Sequence, residues 1–171
     1  LAALLMSSRG LFQGANFVNS IEESNQNELK PLIESGKKSF KGRELSGGTL
    51  GVVGMGAIGS KVADMGVMLG MNVLGYDPAI TVEAAWKLPN KVERKESIED
   101  VFKESDYISL HVPANDKTKG LINSDLLSKA KKGLRLINFA RDEIVVSKDI
   151  IDSLDKSCLL YTSDAADEGW C

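Results

Sequence analysis

Thr49-Leu50-Gly51-Val52-Val53 runs directly into Gly54-Met55-Gly56-Ala57-Ile58-Gly59, and after a further apolar stretch the chain reads Asn72-Val73-Leu74-Gly75-Tyr76-Asp77. The first run is short, apolar and rich in β-branched residues, and it stops at a glycine, which predicts a buried strand ending in a tight turn. From Ile58 the apolar residues Val62, Met65, Met68 and Leu69 recur at three- and four-residue steps, so a helix burying those side chains on one face is expected. A second strand closes on Asp77, 18 residues past Gly59. Strand, glycine turn, helix, strand and acid in this order make up a dinucleotide-binding unit. In it Gly54 permits the turn, Gly56 lets backbone approach a pyrophosphate, and Gly59 lets the helix pack closely on the strand. Amides near Ala57 and Ile58, at the helix start, have no intrahelical partner and are expected to meet the phosphates. Asp77 is expected to accept hydrogen bonds from both ribose hydroxyls of an adenosine. With no arginine immediately after it, it predicts NAD rather than NADP.

The surroundings fit an ordinary globular domain. The chain has 171 residues, 43% of them apolar and 26% charged, which predicts one domain and no disordered or membrane-spanning class. The formal charge of −3 is carried by Asp164, Asp167 and Glu168 in the last fourteen residues, which contain no Lys or Arg, so the rest is balanced. No basic stripe interleaved with aromatics is present, which argues against a nucleic-acid partner. Both cysteines, Cys158 and Cys171, lie in that tail, so residues 1–157 offer no disulfide framework or Cys-based metal site, and a reducing, cytoplasmic setting is expected. The opening Leu1-Ala2-Ala3-Leu4-Leu5-Met6 is too short for a signal segment and has no basic start; it reads as the middle of a longer protein.

Outside the central unit, Leu1, Leu4, Leu5, Leu11, Phe12, Phe17 and Val18 predict one imperfect helix over residues 1–20, weakened by Gly10 and Gly14. Residues 22–43, broken by Pro31 and Gly36, are expected to be an irregular surface crossing. Past Asp77-Pro78 a short helix near Thr81 to Trp86 and a weak strand around Lys91 to Arg94 follow. Ser97 with Asp100 three residues on predicts a capped helix to Glu104. Tyr107 to Leu110 and Leu134 to Phe139 read as the fourth and fifth strands. Between them Asn123 or Ser124 caps a helix to Lys131, whose cationic last turn suits the helix dipole. Ser147 opens a final helix to about Leu154. Alternating strands and helices predict an α/β fold with a doubly wound parallel sheet, ligands lying beyond the carboxyl ends of its strands. Gly54 to Gly59, Asp77, His111 to Pro113 and Phe139 to Arg141 converge there.

At these residues the chain resembles the NAD-binding domain of the D-isomer-specific 2-hydroxyacid dehydrogenases. The resemblance is carried by Gly42-Arg43-Glu44-Leu45, the Gly54 to Gly59 loop, Tyr76-Asp77-Pro78, Ser105 to Pro113, Gly120-Leu121-Ile122-Asn123 and Asn138-Phe139-Ala140-Arg141, in the family's order. Ala57, the Ile80 to Trp86 stretch and Phe139 are most similar to the family's bacterial branch acting on 3-phosphoglycerate in serine synthesis. The resemblance implies NAD as cofactor and a small 2-hydroxy or 2-oxo acid as substrate. It implies that Arg141 grips the substrate carboxylate and that His111, Val112, Pro113, Phe139 and Ala140 line the cofactor site. It also implies a homodimer or higher homo-oligomer paired through this domain, and since the apolar residues of the helix of residues 1–20 exceed what one sheet face needs, that helix is expected at a subunit interface. The family's catalytic Glu and His lie past a sixth strand that this chain is expected not to reach, and its substrate domain is expected to be absent. Asp142-Glu143 replaces the Gly-Gly that usually follows the arginine.

His111, the only histidine, is therefore read as a packing or cofactor-lining residue and not as the catalytic base. Met55, Met65, Met68 and Met71 read as core filler, and no metal constellation is present. Cys158 to Glu168 resembles the translation of a sequencing adapter, so the domain is expected over residues 1–157 and the tail, residues 158–171, outside the fold. An NAD-sensing module of corepressor type is the alternative on the same fold. An S-adenosylmethionine-dependent methyltransferase would share the glycine loop and the acid but gives no reason for Asn138 to Arg141.

Overall fold

A computed structural model describes residues 1–22, 26–155 and 159–163. Where one domain was expected, the chain divides into two compact units, Leu1–Leu45 and Ser46–Cys171.

The first unit is helical: α1 (Ala2–Ser8), α2 (Leu11–Asn19), α3 (Gln26–Gly36) and a 3-10 turn, Lys37–Phe40. Residues 1–20 are thus two helices and not one. Arg9 is extended at φ −134° and ψ 145° and breaks the helical run just before Gly10. The expected irregular crossing is largely α3, which carries Pro31 inside it. A proline costs a helix one backbone bond. Here Leu29, Ile33 and Gly36 recur at helical spacing on the half-buried side, and that packing outweighs the loss. Phe17 packs on Phe40 with ring centroids 5.5 Å apart, and a Cβ at Gly36 would lie 2.3 Å from the Phe17 ring, so α3 ends tight against α2.

The second unit is the expected doubly wound sheet. Strands β1 (Thr49–Val53), β2 (Asn72–Tyr76), β3 (Val92–Arg94), β4 (Tyr107–Leu110), β5 (Leu134–Asn138) and β6 (Leu159–Ser163) lie in the order β3-β2-β1-β4-β5-β6. All pair in parallel. The connecting helices are α4 (Gly59–Met68), α5 (Val82–Ala85), α6 (Ile98–Glu104), α7 (Ser124–Ser128) and α8 (Ser147–Asp155). Leu50, Val52, Val53, Ile108, Leu110 and Leu136 fill the middle of the sheet, and Val101 and Phe102 of α6 are fully buried with them. Winding proceeds from β1 outward to β3, then returns to β4 on the other side of β1. The strand order therefore reverses between β1 and β4, where the crevice of such a sheet opens.

Capping follows the sequence closely. Ser97 Oγ accepts from the Asp100 amide at 3.1 Å and donates to its carboxylate at 2.7 Å, Thr81 accepts from the Ala84 amide, and Asn123 accepts from the Leu126 amide. Three expectations are corrected. Helix α4 does not bury Met65 and Met68, which are 41% and 79% exposed; its buried face is Gly59, Ala63 and Gly66. A Cβ at Gly66 would lie 2.7 Å from Leu50 Cδ2, so the helix runs too close to β1 for long side chains. Helix α7 stops at Ser128 rather than Lys131. Lys129 and Lys131 turn to Glu99 and Asp106, at 3.6 and 3.3 Å, instead of completing a cationic last turn. Finally, the fold has an element past residue 157. The apolar, β-prone run Leu159–Ser163 pairs along β5 from Leu134 to Asn138, whose outer edge otherwise has open backbone bonds. Residues 156–158 and 164–171, including Cys158, Asp164, Asp167, Glu168 and Cys171, lie outside the described residues.

Among the described residues no helix is long and apolar enough to cross a membrane, and no three His, Cys, Asp or Glu side chains cluster as a metal site would require.

Candidate dinucleotide site

The site is built on the glycine turn after β1. The Gly54 amide donates to the Tyr76 carbonyl at 2.8 Å, which ties the turn to the end of β2. Its φ is +92°, a region that side chains disfavour, and a Cβ there would come within 2.6 Å of the His111 carbonyl. The end of β4 therefore lies against the turn, and the His111 amide donating to the Val53 carbonyl at 2.7 Å holds it there. Gly59 is required by a second close approach: a Cβ would sit 1.8 Å from the Gly54 carbonyl oxygen. The expected tight packing of helix on strand is thus a contact with the carbonyl of the turn residue that follows the strand. Gly56 is different. Nothing of the protein lies within 4 Å of its missing Cβ, so its backbone faces open space. Ala57 and Ile58 are exposed beside it, and α4 starts with no side-chain cap; the Ser60 amide already donates to the Gly56 carbonyl at 3.0 Å, so the amides offered to an anion are those just before it.

Asp77 does more than end β2. Its Oδ2 accepts from the Met55 amide at 2.8 Å and its Oδ1 from the Ala79 amide at 2.9 Å. The carboxylate thereby fixes the glycine turn and is itself held in one orientation. Each oxygen has a second lone-pair site for ribose hydroxyls. Beside it opens a cavity of about 270 Å³ whose walls include Met55, Gly75, Ile80, Leu88, Val92 and Arg94. An apolar cleft next to a few fixed polar groups is the usual form of a nucleobase pocket.

At the end of β4, His111 Nε2 lies 2.8 Å from the Oγ of buried Ser109. Burial pushes the imidazole down to about 4, so the ring is neutral at ordinary pH. Val112 is half-buried, with Cγ1 2.9 Å from where a Gly54 Cβ would stand, and Pro113 is exposed after it.

At the end of β5, Asn138 is 2% exposed. Its Oδ1 accepts from the Ala140 amide at 3.0 Å and its Nδ2 donates to the Arg141 carbonyl at 3.2 Å, so a buried amide sets the path of the Phe139-Ala140-Arg141 turn. Arg141 is exposed and extended and leads into a 3-10 turn, Asp142–Ile144. That turn is fastened to Ile122, whose amide donates to the Ile144 carbonyl at 3.0 Å and whose carbonyl accepts from the Val146 amide at 2.9 Å.

Gly54, Gly56, Gly59, Asp77, His111 and Val112 thus meet around one turn. Phe139, Ala140 and Arg141 lie one strand further along the same sheet edge, past β4. Sequence reasoning missed Met55, Ser109, Arg94 and the positioning role of Asn138. Only Asn138 carried a signal, an amide one residue before a turn.

The NAD-binding domain model of the D-isomer specific 2-hydroxyacid dehydrogenases matches residues 1–166. D-3-phosphoglycerate dehydrogenase of Bacillus subtilis is 38% identical over 122 residues, 71% of this chain and 23% of that protein. Hydroxypyruvate reductase of Thermotoga maritima is 40% identical over 119 residues, 67% of this chain and 37% of that protein. Among solved structures, the Aquifex aeolicus D-lactate dehydrogenase complexed with NAD and lactic acid superposes with a TM-score of 0.76 at 30% identity, over 96% of this chain and 46% of that one. The chain spans less than half the length of each of these relatives. It belongs to the D-isomer specific 2-hydroxyacid dehydrogenase family, through that family's NAD-binding domain.

Proposed function

We propose that this domain seats NAD across the β1–β4 switch point as the cofactor half of a dehydrogenase acting on a D-2-hydroxy acid, with 3-phosphoglycerate as substrate and a cytoplasmic location. The observation that carries the reading is the Asp77 carboxylate bonded to the Met55 amide, because it couples the ribose acid to the glycine turn in one rigid unit. The pyrophosphate lies over Gly56 against the first amides of α4, the adenosine in the cavity beside Asp77, and the nicotinamide toward the ends of β4 and β5. The cofactor supplies hydride acceptance. Arg141 holds the substrate carboxylate through two parallel hydrogen bonds, and Asn138 orients the turn that presents it. Neutral His111 packs beneath the cofactor and leaves proton transfer to a base elsewhere in the full-length protein. Phosphoglycerate is favoured by Ala57, the Ile80 to Trp86 stretch and Phe139, together with the Bacillus subtilis relative.

The test uses the full-length protein. Arg141→Gln is expected to cut kcat/KM for 3-phosphoglycerate by roughly 100-fold, since a bidentate charged pair is lost, while NAD affinity stays near wild type. Wild-type kinetics with 3-phosphoglycerate, D-lactate and hydroxypyruvate decide the substrate. Equal turnover by the Gln variant would remove Arg141 from the site, and a preference for hydroxypyruvate would overturn the phosphoglycerate assignment.

The first unit is proposed to cover a second copy. Leu5, Met6, Leu11 and Phe12 are 43–65% exposed, more large apolar surface than a helix of a lone subunit usually shows. Phe17, expected beside Phe12 at the interface, instead packs on Phe40 and belongs inside the unit. Sedimentation of a full-length Leu11→Ser, Phe12→Ser variant is expected to give a loosened dimer. An unaltered dimer would place the interface elsewhere.

A further inference from the structure

We infer that Arg94, on the β3 wall of the cavity beside Asp77, is a second specificity-determining residue: a cation placed to receive a ribose 2′-phosphate, against which Asp77 stands as the barrier to phosphorylated dinucleotides. The inference rests on the reading that the adenosine half of a dinucleotide occupies this cavity.

The juxtaposition comes from the strand register. In the β2–β3 pair, Val73 stands opposite Val92 and Gly75 opposite Arg94. Opposed residues of paired strands project to the same face, and residues two apart on one strand share it. Gly75, Val92 and Arg94 therefore face one side, and Asp77, two residues past Gly75, follows them. All four line the cavity, and a Cβ at Gly75 would touch Val92 Cγ1 at 3.2 Å and the Met55 thioether at 3.3 Å. Because Gly75 has no side chain, nothing on β2 stands between the Arg94 and Asp77 side chains across the cavity.

Charge sets the rest. Asp77 cannot swing away from a bound nucleotide, because two backbone amides hold its oxygens. A 2′-phosphate would meet a fixed carboxylate, the repulsion that selects for NAD. Across the same cavity the Arg94 guanidinium pairs with Glu96 at 3.2 Å, with the two side chains 76% and 80% exposed. So exposed a pair holds its partners weakly. A phosphate dianion, which a guanidinium can grip through two hydrogen bonds, competes well against it. The sequence has no arginine directly after Asp77, where one is commonly sought; this one arrives from the neighbouring strand. With Asp77 in place the two charges oppose each other on an incoming 2′-phosphate. With it neutralised, only the attraction remains.

The experiment is calorimetric titration of the chain with adenosine 5′-monophosphate and adenosine 2′,5′-bisphosphate, which differ only in the 2′-phosphate. The readout is the ratio of the two affinities. Wild type is expected to prefer the monophosphate. Asp77→Ser, which removes the charge, is expected to move the ratio toward the bisphosphate by roughly 10-fold or more, and adding Arg94→Gln to take most of that back. Glu96→Gln leaves Asp77 untouched and should move the ratio the same way by roughly twofold, through release of Arg94. The gain should shrink as salt rises from 0.05 to about 0.5 M. If Asp77→Ser gains the bisphosphate equally with and without Arg94, the inference is overturned while the cofactor reading stands. If wild type binds neither nucleotide nor NAD, the cofactor reading itself fails and the inference with it.

Discussion

Gly59→Ala is expected to abolish measurable NAD binding by the chain and to lower its unfolding free energy by roughly 2–4 kcal/mol. Two effects compete. Alanine is the better helix former by about 1 kcal/mol, and Gly59 opens α4, so propensity alone predicts stabilisation. Sterics decide against it. The new Cβ would lie 1.8 Å from the Gly54 carbonyl oxygen, and both partners are backbone, so no rotamer change relieves the contact. The helix start must retreat from the strand end by about 1 Å or more, as close-packed interiors do not absorb such an overlap. That displaces the amides expected to meet the phosphates, and it strains the Gly54–Tyr76 and Met55–Asp77 hydrogen bonds. Gly56→Ala is the control. Its Cβ meets no protein atom within 4 Å, so stability should change by less than about 0.5 kcal/mol, whereas NAD affinity should fall sharply because the added methyl occupies the face offered to the pyrophosphate. Thermal melts and NAD calorimetry on both variants separate the two effects. NAD binding by Gly59→Ala at wild-type affinity would mean the turn does not define the site. Undiminished affinity in Gly56→Ala would move the phosphates off Gly56.

The β1-turn-α4-β2 unit was legible because each of its signals is local: strand run, glycine spacing, helix period and terminal acid all fall within Thr49 to Asp77. The caps at Thr81, Ser97 and Asn123 were legible for the same reason, each being a contact three residues long. What failed depended on neighbours. The methionines of α4 keep a helical period, yet the face that meets the sheet is chosen by how closely β1 lies, and only Ala63 and the two glycines fit there. Proline at 31 argued for irregular chain, but packing on Phe17 and Phe40 is a tertiary matter that no local breaker reports. Lys129 and Lys131 looked like dipole partners and answer instead to carboxylates 30 and 25 residues away in sequence. At the site, the order of strand ends was readable from topology rules. The register that brings Arg94 into the cavity of Asp77 was not, since a three-residue strand has too little pattern to fix its pairing.

His111 is expected to make the fold sensitive to acid, costing about 2–3 kcal/mol of stability between pH 6.5 and pH 4. Burial lowers the folded-state value to about 4 from an ordinary 6.5. Between those values the unfolded chain holds a proton that the folded chain refuses. Stability is therefore complete above pH 6.5, falls as the pH drops, and stops falling through this group below about pH 4, where both states are protonated. The full separation corresponds to about 3 kcal/mol, and the solvent that reaches the half-buried ring trims it. Ser109, whose hydroxyl lies 2.8 Å from Nε2, can donate to a neutral ring or accept from an imidazolium, so burial and not this bond sets the effect. The strand end that would move is the one whose carbonyl lies against Gly54, so NAD affinity should weaken over the same interval. Urea unfolding at pH 7.0, 5.5 and 4.5 measures this against His111→Gln, which can still bond Ser109 but does not titrate. Carboxylates contribute alike to both proteins and cancel in the difference. The Gln variant should lose about 2 kcal/mol less than wild type on going from pH 7.0 to 4.5, and equal losses would mean that the histidine is already solvated enough to titrate normally.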